Sequence, residues 1–393
     1  MRRLGTRIFL VVCLLVAGAA VLWGPAYARS ASLVIRAAQL QGFLLGAARV
    51  QAQHYTVEPV RQIETRHGLA RTRLYRPDRV RRAVLLVPGV HAMGIDEPRL
   101  VALSQELAAT GLAVLTMELP ELLQYRFTPE SVDMIEDGAA WLSRRTDVAA
   151  DGRVGLMGIS FAGGLAMVAA GRPAIRDRLA FVFSFGGHGD LPRVLRYLCT
   201  GVEPARPGAA RDTPRKVRPP HDYGVAVILV GIADRMVPPE QVEPLRRGIV
   251  TFLTASQLDL IDKARSAEVF AEAKRMAGEL PEPSASLMQA VNARDVKGLG
   301  ARLLPVLERI RYPASLSPDD SAAPRAPVFL LHGTEDTVIP SVETLLLAEH
   351  LEGRTRVRML LSDLISHAEV DSTAAAAAEV LKLVGFWAEL LNE

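Results

Sequence analysis

Short runs dominated by Val, Leu, Ile and Phe alternate along the chain with longer stretches whose apolar positions return every three or four residues. A run that is apolar throughout is buried on both faces, so this alternation predicts a mostly parallel sheet covered by helices on each side. Strands are expected at 83–87, 113–117, 154–158, 180–185, 225–231, 328–332 and 356–361, with helices at 99–110, 131–144, 342–351 and 373–391 among the intervening stretches. The segment 57–75 reads as an antiparallel opening hairpin. Right-handed crossovers would bring the C-terminal ends of the parallel strands to one edge, where sites in open sheets form.

Two stretches break the rhythm. Residues 201–224 are dense in Pro, Arg and Gly and read as a surface loop. Residues 239–310 carry only helical periodicity, through Phe252, Leu258, Ile261, Phe270, Leu287, Val291 and Leu303. The expected organisation is a signal peptide or membrane anchor at 1–28, a helical linker at 29–56, and a core in two parts, 57–238 and 313–393, separated by a helical lid insertion at 239–312.

The N-terminus changes the picture most. Arg2, Arg3 and Arg7 precede an apolar stretch from Ile8 to Trp23, and Ala26-Tyr27-Ala28 follows with small residues at the positions a signal peptidase reads. The chain is therefore expected to be exported, either secreted or periplasmic after cleavage, or anchored to the membrane by the uncleaved segment. Beyond it, Leu33, Val34, Ala37, Leu40, Leu44 and Ala48 form one helical stripe that could lie on a membrane or pack on the body. Of the two cysteines, Cys13 and Cys199, the first lies in this leader, so cleavage would leave no intrachain disulfide. A formal charge of only +3 gives no sign of nucleic acid as a partner, and the arginine-rich run from Arg71 to Arg82 is expected to be a solvated hairpin face, the alternative being contact with an anionic surface.

The candidate chemistry begins at Arg153 to Gly164, where an apolar strand enters Gly158-Ile159-Ser160 and then a small-residue helix start, Phe161-Ala162-Gly163. A serine hydroxyl needs exposure, a base and backbone N–H donors, and a sharp strand-to-helix turn supplies the first and last of these. The same window also fits a serine that merely caps a helix. A base needs a carboxylate to hold its tautomer. Asp336, in His332-Gly333-Thr334-Glu335-Asp336-Thr337-Val338-Ile339-Pro340, lies just beyond one expected strand, and His367 lies beyond the next. A second Gly-x-x-Asp followed by Val and Pro, Gly231 to Pro238, makes Asp234 an alternative acid. His91, His188 and Asp190 also follow expected strands; bonding of these histidines to loop backbone is expected rather than a substrate role. The chain has no His-x-His or His-Glu-x-x-His spacing, and no metal or other cofactor is expected.

With these three elements in the order Ser, Asp, His, the chain resembles the α/β-hydrolases across roughly 57–391, the helical insertion excepted. Ala162 stands where that family usually has Gly. The resemblance implies an α/β-hydrolase fold, a nucleophile at Ser160, an acid at Asp336 and a base at His367. It also implies an oxyanion hole from the N–H groups of Phe161 and Val90, although Pro88 occupies a position where many members have His. A serine at the elbow excludes enzymes of this fold that use an Asp or Cys nucleophile. The expected activity is hydrolysis of a small carboxylic ester or related acyl substrate through an acyl-enzyme. The alternatives are acyl transfer to another acceptor and a non-catalytic, membrane-tethered protein of the same fold.

Overall fold

The structure is a computed structural model that describes residues 24–38, 43–210, 213–259, 261–365 and 374–393. The apolar leader 8–23, Cys13, Leu40 and His367 lie outside the described residues. Two helices precede the sheet, α1 (residues 24–37) and α2 (Phe43–Gln51).

Among the described residues the sheet has nine strands: β1 (Tyr55–Val57), β2 (Arg61–Thr65), β3 (Gly68–Pro77), β4 (Arg82–Val87), β5 (Leu112–Met117), β6 (Val154–Ile159), β7 (Leu179–Phe185), β8 (Val328–Gly333) and β9 (Val357–Ser362). Their order is β1-β3-β5-β4-β6-β7-β8-β9, with β2 hairpinned onto β3. β3 pairs antiparallel with β5, and from β5 to β9 every neighbour is parallel. The fold class is α/β, a mostly parallel doubly wound sheet.

Burial on both faces explains the continuous apolar runs. In β4, Ala83, Leu85 and Val87 belong to one core, whereas Val84 and Leu86 belong to the other. The first core packs under α4 (Pro120–Leu123), α5 (Pro129–Ser143) and α6 (Phe161–Gly171); the second packs under α1 and α3 (Pro98–Ala108). Between β7 and β8 come α7 (Leu191–Thr200), α8 (Tyr223–Ile232), α9 (Pro239–Leu258), α10 (Lys263–Glu279), α11 (Ser284–Asn292) and α12 (Val296–Leu307). The chain then closes with α13 (Val342–Leu351), on the first core, and α14 (Ala374–Leu390), on the second.

One expected strand is overturned. Residues 225–231 lie inside α8, because β7 pairs directly with β8 and leaves the run no place in the sheet. Val225 to Val230 are all buried, so the run shows no polar face and its periodicity does not separate helix from strand. The hairpin expected over 57–75 forms, in a register that pairs Arg61 with Thr72 and Thr65 with Gly68.

Candidate active site

Ser160 joins the last residue of β6 to α6 with φ 55° and ψ −134°, a left-handed conformation outside the ordinary regions for a residue with a Cβ. Such strain persists only where the surroundings enforce it. Here the Ser160 N–H donates to the Phe185 carbonyl at 2.7 Å, and the Ser160 carbonyl accepts from Gly163 N at 2.7 Å. The turn is tight enough that a Cβ on Gly158 would lie 2.3 Å from the Ala162 carbonyl oxygen. Ala162 itself is fully buried in the usual glycine position, so its methyl is accommodated.

The loop after β4 closes over this turn. A Cβ at Gly89 would stand 3.2 Å from Cβ of Ser160, which puts the backbone of Gly89 and Val90 beside the serine. Phe161 opens α6, and its N–H belongs to the first helical turn, where N–H groups have no intrahelical acceptor. Of the two expected oxyanion donors, Phe161 therefore lies at the positive end of a helix dipole, and Val90 follows the residue that approaches Ser160. His91, in the same loop, accepts from Met93 N through Nδ1 at 3.1 Å, and burial lowers its pKa against the weaker pull of Glu97.

Asp336 follows β8 on the same edge. Its Oδ1 accepts from Val338 N at 2.8 Å and Ile339 N at 3.0 Å, so the carboxylate is fixed by its own loop. Oδ2 faces the Gly186 backbone, where a Cβ would lie 3.5 Å away, and Gly186 directly follows the residue whose carbonyl receives the Ser160 N–H. His332 braces the loop from beneath. Fully buried, it bonds Thr344 Oγ1 at 2.6 Å and the Ile339 carbonyl at 2.8 Å, with its Nε2 3.4 Å from Asp336 Oδ2. In sequence His332 is only the first residue of the acid motif, and its place four residues before Asp336 is the one signal of this bracing role.

Beyond β9 the described chain continues on this edge to Ile365. Gly333 pairs with Ser362 at the ends of β8 and β9, and the side chain of Ile365 lies 3.5 Å from where a Gly333 Cβ would be. Asp234 stands elsewhere. It sits in a 3-10 turn after α8, with its side chain 56% exposed and 3.6 Å from Arg246.

Residues between β7 and β8 cover the acid loop. The His221 N–H donates to the Thr337 carbonyl at 2.9 Å, Tyr197 Oη donates to the same carbonyl at 3.4 Å, and Arg218 pairs with Glu335 at 2.8 Å. Burial, reinforced by the charge of Asp336, pushes the Tyr223 phenol well above its ordinary pKa and keeps it neutral. Phe127 stacks on Phe161 with ring centroids 4.4 Å apart, giving the serine an aromatic flank.

His188 lies behind the serine rather than before it. It is fully buried, bonds the Leu316 carbonyl at 2.9 Å and fills the space against Gly164, so it does not line a substrate path. Among the described residues, no three His, Cys, Asp or Glu side chains converge as a metal site.

A strained serine turn after β6, an acid loop after β8 and the β5-β4-β6 reversal of strand order are now all in place. The fold is that of the α/β-hydrolases. No family model and no curated protein matches the chain. Among solved structures it is similar to an esterase from Pyrobaculum calidifontis, at 16% identity over 93% of this chain and 91% of that one, with a TM-score of 0.44. It is also similar to the acylaminoacyl peptidase of Pyrococcus horikoshii, at 12% identity over 81% and 39%, TM-score 0.42. A dienelactone hydrolase from Anabaena variabilis is similar at 14% identity over 84% and 96%, TM-score 0.38.

Proposed function

We propose that the protein is a serine hydrolase that cleaves a carboxylic ester or related acyl substrate through an acyl-enzyme on Ser160. The observation that carries this reading is the left-handed backbone of Ser160 at the start of α6. A serine that only capped a helix would sit in extended backbone, as Asp190 and Asp262 do at φ −136° and −145°. Strain of this kind costs on the order of 1–3 kcal/mol and lifts the hydroxyl out of the turn beside Gly89.

In this mechanism His367 takes the Ser160 proton as the oxygen attacks the acyl carbonyl, and Asp336 stabilises the resulting imidazolium. The developing oxyanion is received by the N–H groups of Phe161 and Val90. His367 then protonates the leaving alcohol, and water, deprotonated by the same histidine, releases the acid. Phe127 and Phe161 supply an apolar wall for the acyl group.

Hydrolysis of p-nitrophenyl esters by the parent chain and by Ser160→Ala tests the proposal. The substitution is expected to lower kcat by at least about 10⁴-fold. Turnover at the parental rate would refute it.

A further inference from the structure

The opposite edge of the sheet is lined with arginine. Each parallel strand except β5 starts directly after, at, or three residues beyond one: Arg81 and Arg82 at β4, Arg153 before β6, Arg178 before β7, Arg325 before β8 and Arg356 before β9. The strand register sets several of them side by side. Val154 N donates to the Arg178 carbonyl at 2.9 Å, Val328 N donates to the Arg356 carbonyl at 2.8 Å, and Arg82 Nη1 donates to the Arg153 carbonyl at 3.2 Å. The turn from β3 to β4 adds Arg79, the end of α5 adds Arg144, and the loop after α13 adds Arg354.

Carboxylates answer only part of this row. Asp151 holds Arg82, Asp147 holds Arg76 and Arg145, Asp177 holds Arg325, and Glu393 holds Arg356. Among the described residues, Arg79, Arg81, Arg144, Arg153, Arg178 and Arg354 are exposed and have no carboxylate partner, against one unpaired acid in the same loops, Glu352. Beside them a cavity of about 210 Å³ is lined by Arg29, Arg81, Arg82 and the last residues of the chain. The buried Arg29 Nε in it has no acceptor.

The N-terminal end of α1 lies at this same edge. α1 is pinned to the body by Ser30 Oγ, which donates to the Val384 carbonyl at 2.6 Å, and by the Arg36–Glu106 pair. Arg29 shares the cavity with Thr110, whereas Arg36, two turns later, meets Glu106, deeper along α3. α1 therefore runs inward from the arginine edge, and Gly24 precedes Arg29 by only about 8 Å of helix. The apolar stretch Ile8 to Trp23 joins the body there. α1 also continues through Ala26-Tyr27-Ala28 with Ala26 buried, so cleavage after Ala28 would remove helix that is packed on the body.

We propose that the arginine edge is a membrane-docking surface: it seats on anionic phospholipid headgroups, with the uncleaved N-terminal stretch as the anchor, and holds the Ser160 edge away from the bilayer. Guanidinium groups pair with phosphate in a bidentate manner, and each basic residue near an anionic surface strengthens attachment. The exposed Tyr27, in the first turns of α1, is an aromatic residue of the kind favoured at a membrane boundary.

The full chain is reconstituted into vesicles of phosphatidylcholine alone, or with about a third phosphatidylglycerol, and backbone hydrogen exchange is read at both edges. With phosphatidylglycerol, exchange in 78–81 and 144–152 is expected to slow about tenfold, while 88–93 and 334–338 are unchanged. About 1 M salt should abolish the slowing, since screening then acts within about 3 Å. The exposed-residue variant Arg79→Gln, Arg81→Gln, Arg144→Gln, Arg354→Gln should abolish it too while keeping the parental melting midpoint. Equal exchange in the two vesicles, or slowing that survives the four substitutions, would overturn the proposal.

Discussion

Two loops in this molecule carry a Gly-x-x-Asp followed by Val and Pro, and the structure treats them differently. In 333–340 the motif follows β8. The Asp336 carboxylate is fixed by two backbone N–H groups, and buried His332 braces the loop. In 231–238 it follows α8, and Asp234 projects toward solvent beside Arg246. The motif alone specifies a turn. Which element precedes it decides whether the acid reaches the sheet edge or the surface of the helical layer.

The largest effect should come from separating the two acids. Asp336→Asn is expected to lower kcat/KM for ester hydrolysis by about 10³–10⁴-fold, because it removes the charge that stabilises the imidazolium. Asp234→Asn should leave the same constant within about twofold. Equal losses at both positions would break the distinction.

Two glycines, Gly158 before the Ser160 turn and Gly231 at the start of the second acid motif, differ in the space around them. Gly158→Ala drives a Cβ against the Ala162 carbonyl oxygen and should cost about 3 kcal/mol in urea unfolding, along with the Ser160 turn. At Gly231, in the last turn of α8, a Cβ would meet nothing within 4 Å. Gly231→Ala should stabilise the fold by about 0.5 kcal/mol, through helix propensity alone.

Between these lies a pH effect peculiar to the strand-end region. Burial holds the His188 ring below its ordinary pKa of 6.5, more strongly than the Leu316 bond and the charges of Glu343, Asp190 and Asp319 raise it. The unfolded chain then binds the extra proton, so stability should fall as pH drops below 6.5, by up to about 1.4 kcal/mol per pH unit until the depressed pKa is reached. His188→Asn should flatten that part of the acid limb in urea melts across the range. The 231–238 loop holds no buried titratable side chain.

The sheet was legible because burial on two faces writes each strand as an unbroken apolar run, as in 83–87 and 328–332. The same logic misplaced 225–231, whose β-branched residues are buried among helices instead. Periodicity is local, whereas the neighbour that completes a sheet is not. Ser160 could be singled out from the small residues its turn demands, but its positive φ, the approach of Gly89 and the bracing by His332 depend on contacts between distant segments. His188 reads in sequence like a site residue because it follows a strand; only its burial against Gly164 puts it behind the serine. The arginines were visible one at a time, and their alignment along one edge follows from the strand register.

We propose that the strained turn after β6 makes Ser160 the nucleophile. The most direct test of this is to treat the full chain with a fluorophosphonate and locate the adduct by mass spectrometry of its peptides. A single stoichiometric phosphonyl group is expected on Ser160, formed many-fold more slowly when Asp336 is replaced by Asn and at the parental rate when Asp234 is. An adduct on another residue, or none on the folded chain, would contradict it.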